Sequence, residues 1–293
     1  MTAPSRIRNV VEKVSWGLRA TGPLAAVRGV GRLAVLRAVR PRRALVHSRS
    51  GFDLEFGARQ VPTALVAFGD VIDPEYPFLR SVVRPGAVVV DVGAAIGQFT
   101  VYAGRVLGAT VHAFEPVEAN LVSLRANVRR NGLADRVRIH ELALSDHAGE
   151  ADFDTSGDTF RAGFARGSTP GQPVRVARLD EALERLGVGH VDVLKINVAG
   201  HEPGVIDGAE VLLERRAADV LVLLIGTGSF DRYRRISSLG YVFCFYDPAT
   251  DTVHRIRHLD ERMLAERPFP ARHVLALAPA AVDRLLGGGR RVR

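Results

Sequence analysis

The residues best placed to do chemistry lie in the run Asp91-Val-Gly-Ala-Ala-Ile-Gly97. Its glycines, Gly93 and Gly97, let a backbone take positive φ and approach a ligand closely. The preceding Ala87-Val-Val-Val-Asp-Val92 is apolar and β-branched, the pattern of a fully buried strand, and a helix is expected from about Gly97 to Leu107. A loop entering a helix N-terminus offers unpaired N–H groups to a carboxylate or phosphate. Two ligands suit such a turn, a dinucleotide and S-adenosylmethionine (SAM). Spacing separates them. A dinucleotide loop reads G-x-G-x-x-G, and counting from Gly93 its second and third glycines fall on Ala95 and Gln98. A SAM loop has an acid at the strand end and then alternating glycines, often relaxed in the middle. Asp91, Gly93, Ala95 and Gly97 fit with one conservative loss. The Asp91 carboxylate suits the ammonium of the methionine part, directly or through water.

Two further segments support a nucleoside-containing ligand. Thr110-Val-His-Ala-Phe-Glu115 reads as the next strand, and an acid at its end can accept both ribose hydroxyls. NAD enzymes share that feature, so it supports without discriminating. After a third strand, Arg136 to Leu142, the stretch Ala143-Leu144-Ser145-Asp146 falls where such folds contact adenine.

Strands alternating with helices must position these residues. Pro116 opens a helix that Asn131-Gly132 closes. Val191 to Asn197 is a fourth strand, followed by a helix from Glu202 to Arg215. Asp219 to Ile225 is a fifth, followed by a helix from Phe230 to Leu239. Such βαβ units imply a parallel sheet. Tyr241–Tyr246 and His273–Ala278 then form a late hairpin around a short helix near Leu259 to Glu266. The expected fold is α/β, a class I methyltransferase Rossmann-like sheet of seven strands with its last hairpin antiparallel and a basic helical N-terminal extension. Residues 1–60 are assigned to that extension, with a short hairpin over Ala44 to Phe56. Residues 61–286 form the catalytic domain, with a short helix from Pro77 to Val83 ahead of the first strand. Residues 287–293 form a disordered basic tail. The Gly/Ser-rich excursion Gly149 to Arg178, in which Ala151–Phe153 could pair with Val174–Ala177, is either a substrate lid or a plain surface insertion.

Composition bounds the remaining roles. The chain has 293 residues, 47% hydrophobic and 25% charged, with a formal charge of +8. That is ordinary globular composition. One cysteine, Cys244, excludes an intrachain disulfide framework and a Cys-rich zinc site, and its apolar surroundings read as a buried strand. The charge is uneven, with ten basic residues against the single acid Glu12 between Met1 and Arg43. Arginines interrupt every apolar stretch there, unlike a secretory signal, and no run of about 18 apolar residues suggests a membrane span. Leu24 to Val39 reads as a basic amphipathic helix, either lying on an anionic membrane or packing its apolar side on the domain. The expected location is cytoplasmic, with peripheral membrane contact through residues 1–43.

Taken in order, several motifs resemble the FkbM-type methyltransferases. They are Val88 to Thr100, Ala113-Phe-Glu-Pro116, Asn131-Gly-Leu133, Ala143-Leu-Ser-Asp146, Leu179-Asp-Glu181, Leu194 to Glu202, and Gly208-Ala-Glu210. The resemblance spans roughly Pro74 to Ile225. It implies SAM-dependent O-methylation of a sugar, glycolipid or natural-product acceptor. It also marks departures. The family's fourth strand usually ends Lys-Ile-Asp-Val-Glu-Gly, where this chain has Asn197 and Ala199. Its fifth strand usually ends in an acid, here Gly226, and Ala95 replaces an Asn. If those acids hold a divalent ion in the family, this chain lacks two oxygen ligands, so no metal is expected.

Methyl transfer from a sulfonium is an in-line displacement in which the enzyme positions the acceptor and removes its proton. His201 is the candidate base, since imidazole is half neutral near pH 6.5, about its unperturbed pKa. The same residue could instead cap the following helix. Asn197 could orient the acceptor hydroxyl, and Glu202 suits a helix N-terminus. The alternatives are a catalytically degenerate SAM-binding protein with a structural or regulatory role, and a nucleic-acid methyltransferase. The second is disfavoured because no Asn/Asp-Pro-Pro-aromatic motif follows strand four.

Overall fold

The computed structural model describes residues 17–18, 21–69, 73–155, 163–164, 171–198, 200–265, 267, 271–286 and the backbone of 291–292. Residues 1–16 of the basic extension and Ala199 lie outside the described residues. The helix Pro23–Val39 fills most of the span read as basic and amphipathic. It buries Ala26 and Leu33 and packs on a second helix, Thr63–Phe68. Gly29 is required at that contact, because a Cβ there would fall 2.0 Å from the Ala67 carbonyl oxygen. No helix among the described residues is long and apolar enough to cross a membrane.

The expected hairpin forms as β1 (Ala44–His47) and β2 (Asp53–Phe56), paired from Ala44 opposite Phe56 to His47 opposite Asp53. Its free edge is stitched to the helix Glu118–Arg130 by side-chain amides. Asn127 Oδ1 accepts the Glu55 N–H at 2.6 Å, and its Nδ2 donates to the Glu55 and Ile96 carbonyls. Asn131 serves Asp53 in the same way. The hairpin therefore shares a surface with the residues that carry Ile96 of the glycine loop.

The main sheet starts with β3 (Val88–Val92), β4 (Thr110–Phe114) and β5 (Val137–His140). Three strands then leave it for a smaller sheet: β6 (Ala143–Ser145), β7 (Gly149–Asp154) and β8 (Gly163–Phe164), joined by β9 (Gln172–Arg178) in the order β6-β9-β7-β8. Ala151 pairs with Val174 as anticipated. The excursion thus carries its own sheet, closed over a small core of Val117, Ala143, Phe153, Val174 and Val176.

The main sheet resumes with β10 (Val191–Ile196), β11 (Ala218–Leu224), β12 (Val242–Asp247), β13 (Thr252–Arg255), β14 (His273–Leu277) and β15 (Arg291–Val292). The spatial order is β15-β13-β12-β14-β11-β10-β3-β4-β5. Strands β5, β4, β3, β10 and β11 are parallel, and β14 inserts antiparallel between β11 and β12. This is the expected seven-strand plan, extended by β13 and β15 to nine strands. The tail is a correction. Arg291–Val292 pair with Thr252–Val253, because β13 would otherwise present an open edge to them.

Three element boundaries also differ. The expected third strand ends at His140, and the chain turns so that β6 joins the smaller sheet. The helix expected over 202–215 is two, Glu202–Asp207 and Glu210–Glu214. They break at Gly208, where a Cβ would sit 1.9 Å from the Ser145 carbonyl oxygen, so the chain must pass closer than any side chain permits. The short helix placed after Pro77 instead begins at Glu75 and runs to Val82.

Candidate active site

Strand order reverses between β3 and β10, and a crevice opens there beyond the carboxyl ends of the strands. The crevice encloses about 570 Å³, its open mouth included. Its floor is Gly93, Ala95 and Asn197; Phe114, Val117 and Leu144 form an apolar side, with Glu115 and Asn120 beside them. Phe153, Phe164 and His201 line the rim contributed partly by the smaller sheet.

The glycine loop has the strain its sequence implied. Gly93 (φ 77°) and Gly97 (φ 90°) are left-handed, and a Cβ on Gly93 would lie 2.1 Å from the Asn197 carbonyl oxygen. Ala95 is also left-handed (φ 49°), in a conformation that costs an L-residue about 1–2 kcal/mol. Glu115 braces this loop. Its buried carboxylate accepts the Ala95 N–H at 2.8 Å, the Val117 N–H at 3.0 Å and the Asn120 amide at 3.1 Å. Burial raises its pKa, offset in part by those donors. A carboxylate has about four acceptor positions, so Glu115 keeps capacity for a hydroxyl at the crevice wall.

Asp91 is placed differently from its expected role. It is wholly buried behind the loop, where Lys195 lies opposite it in the strand register. Lys195 Nζ is 2.8 Å from Asp91 Oδ1, and Thr100 Oγ1 donates to Oδ2 at 2.7 Å. The carboxylate supports the loop from inside and does not line the crevice, because a buried ammonium already neutralises it.

The adenine-side segment divides. Leu144 lines the crevice, while Ser145 lies beneath and bonds to both Asp146 and His201. Asp146 faces solvent, away from the crevice lining, and is held in its ionised form by the His147 and Ser145 hydrogen bonds. His201 occupies the N-cap position of the helix Glu202–Asp207 but makes no capping side-chain bond. Its Nε2 is 2.9 Å from Ser145 Oγ, and its ring packs on Phe164 at 4.2 Å. Burial lowers its pKa. These contacts hold His201 at the rim of the crevice. Glu202 holds the loop after β10 by accepting the Val198 and Gly200 N–H groups.

A second group, absent from the sequence reading, meets the crevice floor at Asn197. Asp73, Glu75 and His273 are buried together. His273 Nδ1 lies 2.7 Å from Glu75 Oε1, and its Nε2 lies 3.3 Å from the Asn197 amide nitrogen. Gln98, the first residue of the helix after the glycine loop, donates to Asp73 at 2.7 Å. Burial and the Glu75 charge raise the Asp73 pKa to about 6. Burial would raise Glu75 as well, but His273, a backbone N–H and the Arg272 charge together outweigh it and leave Glu75 below its usual value. Asp73 and Glu75 carried only a chain-break signal in Asp73-Pro-Glu-Tyr-Pro77, and His273 read as one strand residue. The position of β14 beside β11 is what brings them to Asn197.

A parallel sheet with this strand order and a glycine loop at its switch point defines a class I methyltransferase fold. Residues 91–243 match the FkbM methyltransferase domain, more than half of the sequence. The chain belongs to the FkbM methyltransferase family and carries a SAM-dependent methyltransferase domain. It is 32% identical to the 31-O-demethyl-FK506 methyltransferase FkbM of Streptomyces tacrolimicus over a match covering 43% of this chain and 61% of that protein. It is 30% identical to the AMB antimetabolite synthetase AmbE of Pseudomonas aeruginosa, covering 47% of this chain and 8% of that protein. The chain thus spans less than two thirds of the length of these curated relatives. A solved methyltransferase from Pyrococcus furiosus superposes with a TM-score of 0.38 at 18% identity, covering 86% of this chain and 95% of that one.

Proposed function

We propose that the protein transfers the methyl group of SAM to a hydroxyl of a small-molecule or glycan acceptor. The observation that carries this reading is the joining of a nucleoside wall and an acid-rich end at Asn197, which borders both. The relative named for a 31-O-demethyl substrate supports oxygen as the methylated atom. The residues present fit the cofactor. Glu115 would accept ribose hydroxyls, Phe114, Val117 and Leu144 would sandwich the adenine, and the loop at Gly93 to Gly97 would lie along the methionine part. When bound, SAM supplies an already activated methyl group. The remaining work is to orient the acceptor and receive its proton.

Asn197 is assigned to orienting the acceptor hydroxyl by hydrogen bond. His201 is assigned to the cofactor rim, because Ser145 occupies its Nε2. Incubation with labelled SAM and a panel of hydroxylated natural products and glycans tests the reading, with label expected in an ether methyl group. Glu115→Gln should weaken S-adenosylhomocysteine binding by roughly 10- to 100-fold, as expected for loss of a charge-assisted hydrogen bond. Unchanged affinity in that variant, or label transferred only to nitrogen, would refute it.

A second reading concerns where the protein works. Leu24, Val27, Val30, Val35 and Val39 are exposed on the helix Pro23–Val39, which also carries Arg28 and Arg37, while Arg32 donates to the Leu45 carbonyl. We infer that this face rests on an anionic membrane, the apolar side chains entering the headgroup layer. Vesicle flotation should show binding to phosphatidylglycerol-containing vesicles and none to pure phosphatidylcholine. Val27→Glu with Val35→Glu should abolish it, and equal binding to both vesicle types would overturn it.

A further inference from the structure

Asp73, Glu75 and His273 present one ligand atom each within 4.8 Å of one another, and all three residues are more than nine-tenths buried. A buried cluster of this kind needs an account of where its lone pairs point. Glu75 Oε2 has no hydrogen-bond partner. His273 Nδ1 lies 2.7 Å from Glu75 Oε1, yet the ring nitrogen is not directed at that oxygen in a way that forms a hydrogen bond. A lone pair on each of these atoms is what a shared cation would take. Adjacent ligands of a six-coordinate cation lie about 3 Å apart, and opposite ones about 4 Å. The His273–Glu75 approach of 2.7 Å is near the adjacent-ligand spacing, and Asp73 lies within 4.8 Å of both.

We propose that Asp73, Glu75 and His273 bind one divalent cation at the acceptor end of the crevice, with manganese(II) the best match. Two carboxylate oxygens and one imidazole nitrogen suit a cation that accepts both ligand types, and three protein ligands leave positions open for water and acceptor. The surroundings favour the site. Asn197 faces His273 Nε2, and with its amide oxygen turned toward that nitrogen it accepts the Nε2 proton and leaves the Nδ1 lone pair free for the metal. Gln98 orients Asp73 from the helix that begins at the glycine loop. Lys195, the nearby lysine, is committed to Asp91. The cation replaces the acids missing at Asn197 and Gly226 with charge from another part of the chain, and it reverses the expectation of metal independence.

Its role rests on the methyltransferase reading above. An acceptor hydroxyl bound to the cation is acidified, and its proton passes to solvent. The oxygen lone pair then forms the new C–O bond as the S–CH3 bond breaks, and the sulfonium leaves as a neutral sulfide.

The test uses the full chain after chelation and desalting. Manganese(II) chloride is titrated in and free ion is read by electron paramagnetic resonance, with S-adenosylhomocysteine binding measured on the same samples. One equivalent of manganese should be taken up. Asp73→Asn, Glu75→Gln and His273→Asn should each weaken uptake at least tenfold while homocysteine-analogue binding stays within about threefold, showing that the variants fold. His190→Gln, in the exposed His190, Asp192 and Asp219 group, should bind manganese as before. Nitrogen modulation in the pulsed spectrum should disappear in His273→Asn. No stoichiometric uptake by protein that binds the analogue, or uptake undiminished in all three variants, overturns the site. Uptake without any dependence of methyl transfer on manganese overturns its catalytic role and leaves the site standing. Failure of analogue binding with manganese uptake intact refutes the cofactor reading alone.

Discussion

The Asp91–Lys195 pair offers a sharp test of how the glycine loop is held. Asp91 is 0% exposed and Lys195 7%, and their charged atoms are 2.8 Å apart. Removing one partner leaves the other charge buried without compensation, at a cost of about 3–5 kcal/mol. Asp91→Asn and Lys195→Met are each expected to lose stability on that scale. The double variant removes both charges and keeps the Thr100 hydroxyl bonded to an amide in place of the carboxylate. It should lose only about 1–2 kcal/mol, less than either single change, because burying a neutral pair avoids the desolvation cost. The single losses sum to about 6–10 kcal/mol, so the double variant falls short of additivity by about 4–9 kcal/mol. Urea unfolding measures the three stabilities, and calorimetric titration measures S-adenosylhomocysteine affinity. Because Asp91 supports the loop from behind, the double variant should retain affinity within about threefold. Two results would refute this reasoning. One is additive destabilisation. The other is affinity that falls roughly tenfold or more in Asp91→Asn and in the double variant alike with little loss of stability, which would mean that the carboxylate holds the cofactor ammonium directly.

Two further expectations follow from the strand β4–β5 pair and from the loop. Burial, with His112 and Arg138 nearby, depresses the His140 pKa to about 4, and burial with Arg138 depresses His112. Folded-state pKa values below the unfolded value of about 6.5 mean that stability is fully present above pH 6.5 and is lost as pH falls toward 4, by about 1–2 kcal/mol once partial exposure of the ring is discounted. Urea midpoints at pH 7 and 4.5 should differ accordingly, and His140→Phe should flatten the difference; a midpoint that rises on acidification would contradict the sign. At the loop, Ala95→Gly should relieve the left-handed strain and raise stability by up to about 1 kcal/mol after the entropy cost of glycine. A lower melting temperature in that variant would show that the strain is not in Ala95.

How far these features were legible in the sequence depends on what positions each residue. Local patterns located the buried strands, since Val88–Val92 and Ala218–Leu224 are apolar runs that only a doubly covered sheet can hide. The glycines were legible because their backbone demand is local. The role of Asp91 was not, because Lys195 lies 104 residues further on and becomes its partner only through the β3–β10 register. The surroundings of His201 were hidden for a related reason. Its spacing after β10 suited a base, while Ser145 and Phe164, which direct the ring to the cofactor rim, come from segments outside the main sheet.

The acid-rich end shows the same effect most plainly. The family match covers residues 91–243, and Asp73, Glu75 and His273 all fall outside it. Within the match, the strand-four and strand-five ends carry Asn197 and Gly226 and look depleted of charge. Outside it, the chain supplies Glu75 from the helix before β3, Asp73 from just ahead of that helix, and an imidazole from β14 beside β11. Glu75 sits in the first turn of its helix, where a negative charge is favoured, and His273 opens β14 opposite Leu224, at the carboxyl end of β11. The fold therefore brings the two together for ordinary structural reasons, and His273 meets the crevice floor at Asn197. A protein that kept its cofactor loop and lost its acids by drift would have little cause to gather two carboxylates and a histidine there with Glu75 Oε2 and His273 Nδ1 left without hydrogen-bond partners.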